Sequence, residues 1–110
     1  MRRAARVDRN HSEVINAFRA YGFSVADTSR LGGGFPDCVI AKSGRTAVIE
    51  IKDGKLPPSA RKLTEAEERF RSDWLGRYEV VESLDDVDEV VRTWANTWTK
   101  EPGKNDYKIV

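Results

Sequence analysis

Apolar residues recur every three to four positions in three segments of the chain, and they alternate or form short runs in four others. The first spacing predicts amphipathic helices and the second predicts strands. Helices are predicted over 11–21, over 64–75 and from 84 onward, and strands over 23–28, 37–41, 46–52 and 78–82. The order α-β-β-β-α-β-α predicts an α/β fold of the α+β type, with a mixed central sheet flanked by helices.

The second and third predicted strands are apolar on both faces, which is typical of central strands covered on each side. Ser43-Gly44 between them favours a two-residue hairpin turn. The third strand is linked to the fourth through a helix, so we expect these two strands to be parallel. Three consecutive glycines at 32–34 indicate a loop with positive φ or close backbone contact.

Each predicted helix begins with the pattern of a capping box, in which an acid stands three positions after the N-cap. The three pairs are Asn10 with Glu13, Thr64 with Glu67, and Ser83 with Asp86. One apolar stripe on the third helix is expected to lie in the core or in an oligomer contact. Its members are Leu84, Val87, Val91, Trp94 and Trp98.

The length of 110 residues limits the chain to one domain with a modest core. We expect a mobile basic arm at 1–9, the domain at 10–98 and a polar tail at 99–110. No stretch approaches the length of a membrane span. The single cysteine, Cys38, excludes an internal disulfide and favours a reducing compartment such as the cytoplasm; it is expected to be a buried hydrophobe. The single histidine, His11, excludes a His/Cys zinc site.

Charge is distributed unevenly along the chain, although the net charge is only +1. Residues 1–62 contain twelve Lys/Arg and six Asp/Glu, whereas residues 63–110 contain seven and twelve. A cationic half is typical of an anion-binding face, and it is equally compatible with an ordinary dipolar surface. The candidate phosphate contacts within it are Arg2, Arg3, Arg6, Arg30, Lys55, Arg61 and Lys62.

Three charged residues interrupt the predicted hairpin: Asp37, Glu50 and Lys52. A two-residue turn at Ser43-Gly44 pairs residues whose numbers sum to 87, which sets Asp37 opposite Glu50. Opposed residues share a sheet face, and Lys52 lies two positions further along on that same face. A three-residue turn would shift the register by one position and separate the charges.

Two carboxylates this close repel each other unless a cation lies between them. Lys52 is one candidate for that cation. Mg²⁺ is the other, since it binds one or two carboxylates together with water and phosphate oxygens, and the Ile51 carbonyl offers a neutral ligand. Lys52 is then free to contact a substrate phosphate or the attacking water. The competing interpretation is a structural cluster of ion pairs.

"PD" at 36–37 followed by "EIK" at 50–52 resembles the PD-(D/E)xK nuclease superfamily, whose shared core is a mixed sheet in α-β-β-β-α-β order. The closer resemblance is to the small VRR-NUC nucleases, particularly the stand-alone phage-type members. It covers roughly residues 10–92 and rests on Glu13 early in a helix and on "GGGFPDCVI", "IEIKDG" and "KLTEAEERF".

The resemblance implies a restriction-endonuclease-like core and cleavage of DNA that depends on Mg²⁺ or Mn²⁺. It implies that Asp37, Glu50 and the Ile51 carbonyl bind the metal, that Lys52 is the catalytic lysine, and that Glu13 is an auxiliary acid. Many relatives have glutamine shortly after "LT", where this chain has Glu67 and Glu68. Some stand-alone members are similar to dimeric Holliday-junction resolvases, which suggests branched DNA as the substrate.

The sequence therefore predicts a metal-dependent DNA endonuclease. We expect a homodimer, because one chain offers a single site and a small footprint, and a location in the host cytoplasm if the chain is phage-encoded. Two alternatives stay open. One is a nuclease-like fold without catalysis that binds DNA or protein, and the other is an RNA-directed nuclease.

Overall fold

The computed structural model describes residues 7–96, together with the backbone of Trp98–Thr99 and Lys108–Ile109. The helices are α1 (His11–Ala20), α2 (Glu65–Asp73) and α3 (Leu84–Arg92), and a 3-10 turn covers Pro58–Ala60. The main strands are β1 (Ser24–Asp27), β2 (Cys38–Lys42), β3 (Arg45–Ile51) and β4 (Arg77–Val81). Through α3, the order of helices and strands is the predicted α-β-β-β-α-β-α.

The four main strands form one mixed sheet in the order β1-β2-β3-β4. β1 and β3 are both antiparallel to β2, and β4 runs parallel to β3, as the crossover through α2 requires. Every pair between β2 and β3 has the predicted register, from Lys42 with Arg45 to Cys38 with Ile49. The register confirms the two-residue turn.

Helices cover both faces of this sheet. On one face, aliphatic residues of β2, β3 and β4 pack with apolar residues of α1 and α3 to form the core. The fully buried strand residues on this face include Cys38, Ile40, Ile49, Ile51 and Val81. α2 lies over the opposite face, where Phe70 packs against Phe35 and Tyr78 at ring distances of 5.2 and 6.2 Å. Alternate residues of β3 therefore belong to two different environments.

Positive φ angles occur at the turns where the sequence predicted them. Ser43 and Gly44 have φ of 57° and 77°, the signature of a type I′ hairpin turn, whose twist matches the flanking strands. Gly34 has φ of 87°, and a Cβ at this position would lie 2.5 Å from the carbonyl oxygen of Ala66. The glycine loop therefore combines positive φ with close backbone contact, and it brings α2 against the segment that leads into β2.

Two of the three predicted capping boxes are wrong. Thr64 and Glu67 form the complete box, whereas the side chains of Asn10 and Ser83 make no capping hydrogen bond. Asp86 instead accepts a hydrogen bond from the Glu82 amide, at 2.8 Å. Asn10 turns inward because its amide group has stronger competing partners at the ends of β3 and β4.

The predicted apolar stripe on α3 is only partly correct. Val87 and Trp94 are buried, Val91 is partly buried against the core, and Val90, which the predicted stripe omitted, is buried. Leu84, in the first turn of the helix, is 43% exposed. The side chain of Trp98 lies outside the described residues.

The predicted terminal segments also differ from the expectation. Arg9, placed in the mobile arm, pairs with Asp53, while residues 1–6 lie outside the described part. At the other end, Lys108–Ile109 (β6) pairs with Trp98–Thr99 (β5) in a separate two-stranded sheet. The rest of the predicted tail lies outside the described residues. Within the described ranges, no helix is long and apolar enough to cross a membrane.

Candidate active site

Asp37 stands immediately before β2, next to the end of β3. Its amide donates to the Ile49 carbonyl at 2.9 Å, and its Oδ2 accepts the Ile51 amide at 2.7 Å. A backbone amide held on a carboxylate fixes the direction of that side chain. The carboxylate is thereby turned toward the end of β3, where Glu50 lies.

Glu50 is the most enclosed acid of the site, with 3% of its surface exposed. Its Oε1 is buried and receives no hydrogen bond from any group in the described part of the chain. Burial, the neighbouring Asp37 charge and a hydrogen bond to Asp37 raise the pKa of the Glu50 carboxyl to about 10. The raised pKa favours the protonated form of Glu50 in the metal-free protein.

Lys52, the residue after the end of β3, brings its ammonium to the same cluster. Its Nζ lies 3.7 Å from Glu50 Oε2 and 2.8 Å from Glu67 Oε1. Burial opposes the charge of Lys52, but the hydrogen bond to Glu67 and the Glu50 charge outweigh it and raise the pKa of the lysine. The structure thus brings together Asp37, Glu50 and Lys52, with the lysine held by a fourth residue.

That fourth residue, Glu67, was predicted only as the capping acid of α2. Its Oε1 accepts both the Thr64 amide and the Lys52 ammonium, each at 2.8 Å. The pKa of Glu67 is lowered because the Lys52 and Thr64 hydrogen bonds outweigh the effect of burial. The capping pattern explained this glutamate without a site, although the family resemblance had already singled out Glu67 and Glu68 as a departure from the glutamine of many relatives.

An aromatic cluster closes the face of the sheet beneath these groups. Phe70 stacks with Trp74 at a ring distance of 5.3 Å and also contacts Tyr78. The Tyr78 hydroxyl is buried without a hydrogen-bond partner among the described residues. Burial raises the pKa of Tyr78, and the nearby charges of Glu50 and Glu67 raise it further. Tyr78 therefore lies close enough to Glu50 and Glu67 for their charges to act on it.

The donor set suits a hard divalent cation with few protein ligands. Ile51 gives its amide to Asp37, whereas the next amide, that of Lys52, bonds to Val81 on the other side. Since the carbonyl and amide of a strand residue point to the same side, the Ile51 carbonyl faces Asp37. Glu50 Oε1 has no hydrogen-bond donor among the described residues, and a cation bound here would supply its partner. No group of three or more His, Cys, Asp and Glu side chains in the described part forms a metal cage, so water would supply the remaining ligands.

Glu13, predicted as an auxiliary acid, does not join this cluster. It is exposed on α1 and lines a different cleft of about 480 Å³. That cleft also includes Lys55 and Arg61, two of the predicted phosphate contacts. Its role as an auxiliary acid stays a prediction. α1 begins at His11, and Glu13 lies on the exposed face of this helix.

The predicted phosphate contacts differ in how far they are engaged. Arg61 donates to the Leu56 carbonyl at 2.8 Å and pairs with Glu82 at 3.1 Å. The side chains of Arg30, Lys55 and Lys62 are exposed. Arg30 lies in the loop before Asp37, and Lys55 and Lys62 lie in the loop after Lys52.

Two further candidates from the sequence take structural positions. Cys38 is fully buried in the core, and burial raises the pKa of its thiol to about 12, so it is the inert hydrophobe predicted. His11 is buried, and its Nε2 lies 3.1 Å from Asp27 Oδ2. Cys38 thus faces the core and His11 faces Asp27.

Comparison of the chain with protein-family models, with curated proteins and with solved structures finds no significant match.

Proposed function

We propose that this protein is an endonuclease that hydrolyses DNA phosphodiester bonds and requires Mg²⁺ or Mn²⁺. Asp37, Glu50 and the Ile51 carbonyl would hold the metal at the end of β3. The bound metal would polarise the phosphate and lower the pKa of a water molecule near it. The finer assignment, a restriction-endonuclease-like core of the PD-(D/E)xK type, belongs to the same proposal and is supported by the "PD" and "EIK" motifs.

In this proposal, the residues of the chain have separate tasks. Asp37 and Glu50 bind and orient the metal. Their position at the end of one hairpin fixes the reacting phosphate relative to the sheet. Lys52 stabilises the charge that develops on the phosphate oxygens in the transition state. Glu67 holds the Lys52 ammonium in place by a charge-assisted hydrogen bond of 2.8 Å. The aromatic cluster under α2 excludes bulk water from the back of the site.

The observation that supports the proposal most strongly is Glu50 Oε1, buried and without a donor beside a second carboxylate. A structural cluster of ion pairs is stabilising only when its members satisfy one another. Here the lysine bonds to Glu67 and leaves Glu50 at 3.7 Å. An unsatisfied buried acid costs stability, and a function that requires a cation gives a physical reason for keeping it.

The choice of DNA as substrate has separate support. Exposed Arg30, Lys55 and Lys62 on the loops that flank the site suit a phosphate backbone. The preference for DNA, the branched substrate and the homodimer rest on the sequence resemblance. A homodimer would bring two such sites to the two strands of one junction.

The proposal is tested by incubating the full chain with plasmid, linear and four-way-junction DNA, and with RNA of the same sequences, with Mn²⁺, Mg²⁺ or a chelator. We expect cleavage that depends on the metal and is lost in Asp37→Asn and Lys52→Ala. Glu79→Gln is the matched control, because this acid lies on β4 in an ion pair with Arg77. It should keep metal-dependent cleavage.

Two results would overturn the proposal. Cleavage that persists in chelator and in both site variants would come from a contaminant or another site. Absence of cleavage with every nucleic acid, together with binding that weakens with salt, would favour the non-catalytic module. Metal-dependent cleavage of RNA but not of DNA would support the proposed hydrolysis and show that the substrate is RNA.

A further inference from the structure

Thr28, the residue that follows β1, contacts the segment that carries Asp37 through two hydrogen bonds. Its hydroxyl donates to the Pro36 carbonyl at 2.7 Å, and its amide donates to the Asp37 carbonyl at 2.9 Å. The amide bond continues the ladder between β1 and β2, whereas the hydroxyl bond depends on the identity of residue 28. Thr28 therefore holds two successive carbonyls on the segment that leads into β2.

The peptide group between Pro36 and Asp37 is held at both of its polar ends. Its carbonyl oxygen accepts the Thr28 hydroxyl, and its N–H, the amide of Asp37, donates to the Ile49 carbonyl at 2.9 Å. Beyond this peptide, Asp37 Oδ2 accepts the Ile51 amide at 2.7 Å. β3 thus fixes Asp37 from one side and Thr28 fixes it from the other, so the direction in which the Asp37 side chain leaves the backbone is set by both.

Thr28 is itself anchored by its neighbours in β1 and in the following loop. Its carbonyl accepts the Leu31 amide at 3.0 Å. The preceding residue, Asp27, accepts the amide and the hydroxyl of Ser29 on Oδ1, at 3.0 and 2.7 Å, and its Oδ2 lies 3.1 Å from Nε2 of the buried His11 on α1. Because these contacts fix the turn around Thr28, its hydroxyl sets the position of the Pro36 carbonyl instead of following it.

We infer that Thr28 is a positioning residue of the proposed metal site and acts through Asp37. The inference rests on the proposed metal-dependent function. The Pro36 side chain is fully buried and Thr28 is half-buried, so a Pro36 carbonyl that loses the hydroxyl must turn to find another donor. That turn would rotate the Asp37 carboxylate away from Glu50, and a displaced carboxylate binds the cation more weakly and misplaces the phosphate that the cation holds.

The test compares variants that remove the Thr28 hydroxyl with one that keeps it. Thr28→Val keeps the shape of the side chain and removes the hydroxyl, Thr28→Ala is a second variant without the hydroxyl, and Thr28→Ser retains it. Ser29→Ala is the matched control, because it removes a hydroxyl hydrogen bond of the same length, 2.7 Å, from the same loop, but one that ends on Asp27 and not on Pro36.

Three quantities are measured for each variant and for the wild type. The affinity for Mn²⁺ is measured by calorimetry on the full chain without nucleic acid. Thermal unfolding in chelator reports the stability of each fold. The values of kcat and KM for DNA cleavage are measured at saturating Mn²⁺, so that a slower reaction is separated from weaker binding of the metal.

Groups that orient the ligands of a metal typically contribute about 10- to 100-fold to metal affinity or activity, and we expect Thr28→Val and Thr28→Ala to bind Mn²⁺ more weakly by that factor. Their kcat should fall with little change in KM, because Thr28 holds a ligand of the metal and not the DNA. Thr28→Ser should stay within about threefold of the wild type. Ser29→Ala should keep the affinity and kcat of the wild type even where it unfolds at a lower temperature.

Two kinds of result would contradict the inference. Wild-type affinity and kcat in the variants without the Thr28 hydroxyl, or an equal loss in these variants and in Ser29→Ala, would overturn the role of Thr28 and leave the proposed function standing. A wild type that binds no Mn²⁺, or binds it no more tightly than Asp37→Asn, would overturn the proposed function and this inference together.

Discussion

Replacing Glu50 by glutamine should stabilise the metal-free protein while removing its response to metal. The side chain keeps its shape, and it no longer needs a proton in order to donate to Asp37. Glu50 is 3% exposed, and its raised pKa means that the folded protein holds a proton near pH 8 that the unfolded chain has released; this costs stability, and glutamine avoids it. One pKa unit corresponds to about 1.4 kcal/mol, so we expect Glu50→Gln to raise the free energy of unfolding by at least about 1–2 kcal/mol in chelator near pH 8.

Adding metal should make the wild type more stable than Glu50→Gln. A cation that binds only the folded state, at 100 times its dissociation constant, adds about 2.7 kcal/mol to the stability of the wild type. Glu50→Gln lacks a charged ligand and should gain far less. The assay is thermal unfolding in chelator and in Mn²⁺, where 1 kcal/mol corresponds to about 4–8 °C for a domain near this size. Glu50→Gln should have the higher melting temperature in chelator, and the wild type should have the higher one in Mn²⁺.

Glu79→Gln is the control for the loss of an ordinary ion pair. Its Oε2 accepts a hydrogen bond from the buried Arg77 side chain at 2.9 Å. This substitution should lower stability by about 1.5–3 kcal/mol in both conditions. If Glu50→Gln behaves in the same way and loses stability in chelator, Glu50 is a structural partner of Lys52. The argument for a cation at this site is then refuted.

Three further outcomes follow from the geometry. Gly34→Ala should lower the free energy of unfolding by more than about 2 kcal/mol, measured in urea, because the added Cβ would lie 2.5 Å from the Ala66 carbonyl oxygen. Gly33→Ala is the control: its φ of 64° lies in open space, so the loss should be only about 1–2 kcal/mol. Equal losses of stability in the two variants would contradict the close contact. Glu67→Ala should lower the free energy of unfolding by about 1 kcal/mol or more, because the capping hydrogen bond of α2 is lost, and it should also lower kcat. Glu67→Gln should keep most of this stability. Equal melting temperatures of the two variants would contradict the capping role. In chelator, the free energy of unfolding should fall as pH rises from about 5 to about 9. The pKa of Glu50 is raised in the folded state, so the folded protein holds a proton that the unfolded chain releases over this range. A rise in stability over the same range, measured by urea unfolding, would exclude a protonated Glu50.

The hairpin was predictable because local chemistry and the apolar pattern agree on one register. Ser43-Gly44 favours the I′ turn, and any shift by one residue would turn Ile49 and Ile51 away from the core. The relative placement of Asp37, Glu50 and Lys52 followed from that register alone. Strand order and the parallel β3–β4 pair followed from the crossover.

The residues that the sequence missed act through contacts between distant segments. Asn10 and Thr64 have the same capping pattern, yet only Thr64 caps its helix, because Asn10 finds the carbonyls of Lys52 and Glu82. No spacing rule connects position 10 with position 52. The second contact of Glu67 was missed for the same reason: a side chain with a sufficient local role can still have a tertiary one.

The type I′ turn at Ser43-Gly44 has a consequence for how this chain can vary in evolution. Exposed turns usually tolerate insertions and deletions, and this one lies on the surface, far from the acids. Yet one added residue would shift the register of β2 against β3 by one position. Asp37 would then no longer share a face with Glu50, and the aliphatic side chains of one strand would leave the core. We expect homologues to change the sequence of this turn but to keep its length, since the turn sets the alignment of a site built at the other end of the hairpin.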